Sequence, residues 1–209
     1  ADRRLLKAAL SSHRALNDTL ANRRKVLAKD EQREGREAED QALQVLEQLN
    51  DQIDDTNSSK LVALVEQLKK IGIGPKSKTR VVIFSERIAT VNWLAESLPG
   101  LIGLKDSNIL TMHGGKSDLE QQAIVEEFSL GESKARILIT GDIASEGVNL
   151  HRECHQLIHY DLPWSLITLE QRNGRIDRYG QRHSPEMRAL LLTPDNEEVR
   201  GDVTVLRRL

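Results

Sequence analysis

From residue 80 onward, short apolar runs alternate with stretches of helical periodicity. The runs lie near 80–85, 108–112, 136–140, 155–160 and 187–192, and several are apolar at successive positions, as in RVVIFS and RILIT. A strand buried on both faces of a parallel sheet has this pattern. Residues 89–98 predict a helix with Val91, Leu94, Ala95 and Leu98 towards the sheet. Ser117-Asp118-Leu119-Glu120 is a capping box, so a second helix starts there and runs to about Phe128. A further helical stretch begins near Ser165, and residues 60–71 form an amphipathic helix ended by Gly72, Gly74 and Pro75. Strands alternating with helices predict an α/β fold, a parallel sheet with helices on both faces.

The first 57 residues follow a different rule. They hold no proline and only one glycine, Gly35. Leu5, Leu6, Ala9, Leu10, Leu16, Leu20 and Leu27 recur at helical spacing, and Leu43, Leu46, Leu49 and Ile53 form a second stripe. Between the stripes, residues 29–41 are almost wholly charged or polar. The expectation is an N-terminal arm of two helices with a solvated bridge. It comprises residues 1–57, followed by a lobe at 58–195 and a connector at 196–209.

Composition narrows the function classes. The chain has 209 residues, and its formal net charge of -2 creates no global basic field, so any nucleic-acid site must be a local patch. In the arm, ten Lys/Arg stand against twelve Asp/Glu, which favours packing on a parent protein over nucleic-acid contact. The single cysteine, Cys154, excludes an internal disulfide framework and fits a reducing, cytoplasmic setting. No apolar run approaches membrane-spanning length, and the termini suggest a piece of a larger protein.

Two tempting motifs fail on spacing. In GGKS the phosphate-loop pattern needs a glycine where Leu110 stands, inside a strand, and no acidic box follows elsewhere. His151, Cys154, His155 and His159 match no common zinc spacing, so no metal site is expected. Trp93 reads as a packing residue.

The candidate chemistry lies in residues 135–181. There a strand, a polar loop, a second strand and an arginine-bearing helix follow one another, which places a site at the carboxyl ends of the strands. Arg175 and Arg178 are three apart and would share one helix face, able to aim at a single phosphate group. The alternative is a solvated basic face with surface ion pairs.

DIASEGVNL and QRNGRIDRYGQ resemble motifs V and VI of the helicase superfamily that holds the DEAD-box and Swi/Snf ATPases, and RIDRYGQ is nearer the Swi/Snf form. The wording resembles bacterial Swi/Snf-type proteins, including an ATPase that associates with RNA polymerase. SSKLVALVEQL resembles the helix leading into the second motor lobe of that family. The resemblance implies a RecA-like lobe of the P-loop NTPase class that lacks its own P-loop. ATP and Mg2+ would be held mainly by a first lobe of the same protein.

On that resemblance Arg175 and Arg178 would be arginine fingers, with Gln171 helping to position them. Glu146, Gly147 and Asn149 would line the nucleotide seam. Ser85, His113, Gly114 and Thr140 would face the sugar-phosphate backbone of duplex DNA. RNA polymerase or a phage-defence complex is the implied partner class. Asp177 and Tyr179 depart from the DEAD-box pattern, which disfavours RNA unwinding. The competing readings are an RNA-helicase lobe and a degenerate binding module without hydrolysis. Intact Arg175 and Arg178 argue against the module.

Overall fold

The computed structural model describes residues 3–30, 32, 34–142, 148–193 and 201–203. Five parallel strands form one sheet: β1 (Val81–Phe84), β2 (Ile109–Met112), β3 (Ile137–Thr140), β4 (Gln156–His159) and β5 (Glu186–Ala189). Their order is β2-β3-β1-β4-β5, with β1 at the centre and crossovers between neighbours. All five strands stand where apolar runs predicted them. β5 ends at Ala189, short of the expected 192, because it is an edge strand with its residues largely in solvent.

Alternation along the strands fills two cores. Val81, Ile83, Ile137, Ile139 and Ile158 pack against α4 (Ser59–Ile71) and α5 (Ile88–Ile102). Val82, Phe84, Leu138 and Leu157 face the other side, with Phe128 of α6 (Asp118–Ser129) and Ile176. β1, β3 and β4 are therefore buried on both faces, and β1 and β3 can be almost wholly apolar.

Helix ends follow their local chemistry. Ser117 Oγ accepts the Glu120 N–H while Glu120 Oε2 accepts the Ser117 N–H at 2.8 Å, so both halves of the capping box form. α4 stops at Gly72, whose φ of 84° only glycine adopts without strain. α5 runs past the predicted 98, carrying Pro99 inside its last turn, and closes on Gly103 at φ 70°. The Pro99 carbonyl accepts the Leu104 N–H at 3.0 Å, which completes that end.

The arm has three helices rather than two: α1 (Arg3–Ser11), α2 (His13–Lys29) and α3 (Arg36–Asn50). Ser12 interrupts the first stripe by capping α2 with its own hydroxyl, which accepts the Ala15 N–H at 3.1 Å. α3 begins inside the expected bridge, held to α2 by Arg23–Glu39 and Arg24–Asp40 pairs. The charged stretch is therefore helix–helix ion pairing and not a solvated link alone. The arm has its own small core of Ala8, Leu16, Leu20, Leu27 and Leu43.

The arm docks on the lobe through polar contacts. Ser11 and Ser12 hydroxyls meet Thr90 Oγ1 at 2.8 and 2.7 Å. Trp93 is a buried packing residue, and its indole N–H donates to Asp55 at 2.7 Å. Within the predicted connector, Asp202 is buried and exchanges hydrogen bonds with Leu192.

Candidate functional site

The carboxyl edge of the sheet gathers the segments after β1, β3 and β4 together with the short helix α7 (Leu166–Asn173). Ser165 starts α7 by accepting the Thr168 N–H. The helix ends at Asn173, before Gly174. Arg175 and Arg178 therefore do not share a helix face, contrary to the spacing argument. They stand on successive turns, where the Arg175 N–H bonds Arg172 O at 3.1 Å and the Asp177 N–H bonds Asn173 O at 2.9 Å. Buried Ile176 sits between them and pins the turn to the core.

The anchor of this region is Arg172, which sequence reasoning left without a role. It is 2% exposed. Its guanidinium grips Asp142 bidentately, Nε–Oδ1 at 2.5 Å and Nη2–Oδ2 at 2.8 Å. The remaining nitrogen donates to the Asp161 carbonyl at 2.6 Å, and the group lies 5.2 Å over the Phe84 ring. Fork geometry of this kind is what arginine offers and lysine does not. The pair ties the loop after β3 to α7. A signal did exist: arginines at 172, 175 and 178 straddle Gly174, so only the first belongs to the helix.

Further bonds knit the same two segments. The Leu150 N–H donates to Arg175 O at 3.0 Å, and Arg178 donates to the Asn149 amide oxygen. Gln181 reaches back to the Cys154 and Ile176 carbonyls at 3.0 and 2.9 Å. Arg175 is half-buried, whereas Gln171, Arg178 and Asn149 are exposed. Asn149, Arg175 and Arg178 thus share one surface. Glu146 and Gly147 lie outside the described residues.

The proposed backbone contacts divide. Gly114 is exposed and His113 half-exposed on the turn after β2, with His113 Nδ1 accepting the Gly115 N–H at 3.2 Å. Burial and then Lys116 lower the His113 pKa from its ordinary value. Ser85 and Thr140 do not face a backbone, because both are 0% exposed. The Ser85 hydroxyl donates to Asp161 at 2.6 Å, and Thr140 donates to the Gly141 carbonyl at 3.1 Å. The reason is long-range. α1 and α4 close over the end of β1, and no local pattern announces that.

Asp161 is the hub of this closed region. It accepts from Ser11 at 2.8 Å, from the Glu86 N–H at 3.0 Å and from Lys60 at 3.1 Å. Burial opposes its charge, yet Lys60 and the two serine hydroxyls together hold its carboxyl below the usual range. Behind the hub, His159 bonds Asn173 at 2.9 Å, and burial lowers its pKa to about 4. Cys154 is buried under Arg80 O and Gln156 O, with its thiol pushed up to about 12 by burial, so it is an inert packing residue.

Among the described residues, no helix is long and apolar enough to cross a membrane. The RNA polymerase-associated protein RapA of Vibrio campbellii is 30% identical over 136 residues, covering 65% of this chain and 13% of that protein. RapA of Pseudomonas putida is 32% identical over 135 residues, with the same two shares. The chain thus spans roughly an eighth of these curated relatives. Among solved structures, the C-terminal part of the Fun30 ATPase domain is similar with a TM-score of 0.56 and 26% identity, over 65% of this chain and 41% of that one. Domain 2 of the DEAD-box helicase Mss116p, bound to an RNA duplex, shares the fold with a TM-score of 0.53 at 23% identity, over 63% of this chain and 49% of that one. The sequence profile described as "Helicase conserved C-terminal domain" matches residues 59–180, and the chain belongs to that family.

Proposed function

We propose that this chain is the second motor lobe of an ATP-dependent, Swi/Snf-type translocase on duplex DNA. The observation that carries the reading is the Arg172–Asp142 fork, which fastens the loop after β3 to the turns presenting Arg175 and Arg178. A finger arginine must be held by something other than its target, and here that support is complete before any ligand arrives.

The donor set fits one half of a shared nucleotide seam. It offers two cationic side chains and the Asn149 amide on one surface, while GGKS lacks the glycine of a phosphate cradle. A first lobe would supply the cradle and the magnesium-binding acid. Bound ATP with Mg2+ would supply the phosphoryl group whose transfer the motor uses. This chain's part is to place Arg175 and Arg178 where phosphate charge develops, with Gln171 nearby on the last turn of α7. Stabilisation of that kind is worth about 10³–10⁵ in rate. The exposed Gly114 and half-exposed His113 are the remaining candidates for backbone contact. The relatives are named for association with RNA polymerase, and a polymerase or a defence complex is the partner class of the whole protein.

The test is turnover in the full-length protein. Arg175→Ala or Arg178→Ala should lower it by orders of magnitude with ATP affinity little changed, because the finger acts on the transition state. Near wild-type turnover by both variants would make the arginines structural. The isolated chain should hydrolyse ATP no faster than buffer. Stimulation by duplex DNA, single-stranded DNA and RNA, compared at fixed salt, separates the substrate classes. Stimulation by RNA alone would favour the RNA-helicase reading.

A further inference from the structure

The near balance of charge in the arm conceals a segregation. Residues 3–17 hold four Lys/Arg and no Asp/Glu, whereas residues 18–57 hold six Lys/Arg and eleven Asp/Glu. The basic end is α1, and the fold sets it on the carboxyl edge of the sheet. Arg3 lies 4.9 Å and Lys7 5.0 Å from the centroid of the Trp164 ring, in the segment after β4. Arg87, in the segment after β1, donates to the Arg4 carbonyl at 3.3 Å. Two cations of α1 thus lie against one half-buried tryptophan, and Arg87 of the lobe reaches the backbone of the same helix. Glu86 is the acid among them, and it pairs with Lys7 at 2.9 Å. Arg3 and Arg4 are exposed.

The position matters as much as the charge. Ser85, at the end of β1, is sealed beneath Asp161 and Ser11 of α1. Whatever approaches this part of the edge therefore meets α1. We infer that α1, with Arg87 and Trp164, is a docking strip for the phosphate backbone of a nucleic acid, through Arg3, Arg4 and Arg87. An excess of positive charge, Arg3, Arg4, Lys7 and Arg87 against the one acid Glu86, suits a uniformly anionic rod. A protein surface, which mixes both signs, suits it less. Trp164 serves as the platform that holds Arg3 and Lys7 in place by cation–π contact. Cations that address phosphates carry no base readout, so binding should be insensitive to sequence.

The test is equilibrium binding of the 209-residue chain to a labelled duplex across a salt series, without nucleotide. It is therefore independent of the finger arginines. The Arg3→Glu/Arg4→Glu double variant should weaken binding on the order of tenfold at low salt. Its plot of log K against log salt should be shallower by about 1.8, at ~0.9 for each phosphate that is no longer neutralised. Arg87→Gln, a change on the lobe and not on α1, should move both quantities in the same direction. That keeps the result readable if the double variant disturbs α1, which circular dichroism would show. Lys25→Glu, a single charge reversal at an exposed position of α2, should change neither. Unchanged affinity and slope in both strip variants overturn the inference, as does the absence of salt-dependent binding by the wild-type chain. Displacement by polyglutamate as effective as by unlabelled duplex, at equal charge concentration, would overturn it in favour of an acidic protein partner.

Discussion

Two clusters of charge occupy the same edge of one sheet and are built oppositely. Around Asp161 every group is enclosed: Lys60, Ser11, Ser85 and the Glu86 N–H all end on one carboxylate. Around Arg175 and Arg178 the backbone is fastened, Arg175 is half-buried, and Arg178 meets the Asn149 amide at the surface, where both are exposed. Arg172 belongs to both, since it donates to the Asp161 carbonyl and forks onto Asp142. The difference teaches how to separate scaffold from site. A charge whose partners are all internal holds the fold, and an exposed charge with a single surface contact is available for a ligand. Substitutions should therefore divide sharply between stability and activity.

The largest stability effect is expected at the closed cluster. Asp161→Ala leaves Lys60, which is 6% exposed, with the Leu10 carbonyl but no counter-charge, and removes the acceptor of two hydroxyls and one N–H. Breaking a buried pair costs about 3–5 kcal/mol, and this site belongs at the upper end. Denaturant unfolding would read it, and a loss under about 1 kcal/mol would show that the cluster is not the anchor. The arm should loosen from the lobe at the same time, because Ser11 loses one of its two lobe partners and keeps only Thr90.

Arg172→Ala comes next, at about 3 kcal/mol. The figure lies at the low end because the Asp142 side chain keeps 33% exposure and water can take up part of its charge. Arg172→Lys should recover little, since a point charge cannot replace the fork. If Arg172→Lys matches wild type in both stability and full-length turnover, the bidentate geometry is dispensable.

The pH dependence tests the scaffold from another side. His159 has a folded pKa of about 4, below the ordinary 6.5, because burial disfavours its cation. Between those two values the unfolded chain binds more protons. Its contribution is therefore fully present above pH 6.5 and is lost as pH falls towards 4, about 3 kcal/mol in all. His159→Gln should flatten the stability profile in that window relative to wild type. An unchanged slope would mean that the ring is protonated in the folded state.

Much of this was legible in the chain, and the failures share a cause. Strands, capping box and helix stops are written in residues a few positions apart, so RVVIFS, Ser117–Glu120 and Gly72 could be read directly. The burial of Ser85 depends on Ser11 and Asp161, which are 150 positions apart from each other. Arg172 finds Asp142 across 30 positions. Such pairings are set by how elements pack, and local periodicity carries no trace of them. The helix expected to bear Arg175 and Arg178 failed for a local reason that could have been seen, since Gly174 lies between them and Arg172. The basic run at the start of the arm, four Lys/Arg in residues 3–17, disappears when charge is summed over its whole length.

The smallest stability effect is predicted where the functional effect should be large. Arg178 is exposed, and its side chain meets only the Asn149 amide among the contacts that define this turn. A surface contact of this kind contributes about 0–1 kcal/mol. The turn itself rests on Ile176, on the Leu150–Arg175 backbone bond and on Gln181, none of which Arg178→Ala removes. Unfolding of Arg178→Ala should therefore match wild type within about 0.5 kcal/mol. Tyr179, 101% exposed, should behave alike when changed to Ala. Measured beside turnover of the full-length protein, the contrast is direct: Arg172→Ala loses stability, and Arg178→Ala keeps stability while losing turnover. If Arg178→Ala is instead as destabilised as Arg172→Ala, the two clusters are one scaffold, and the outward-facing cations are structural like the enclosed ones.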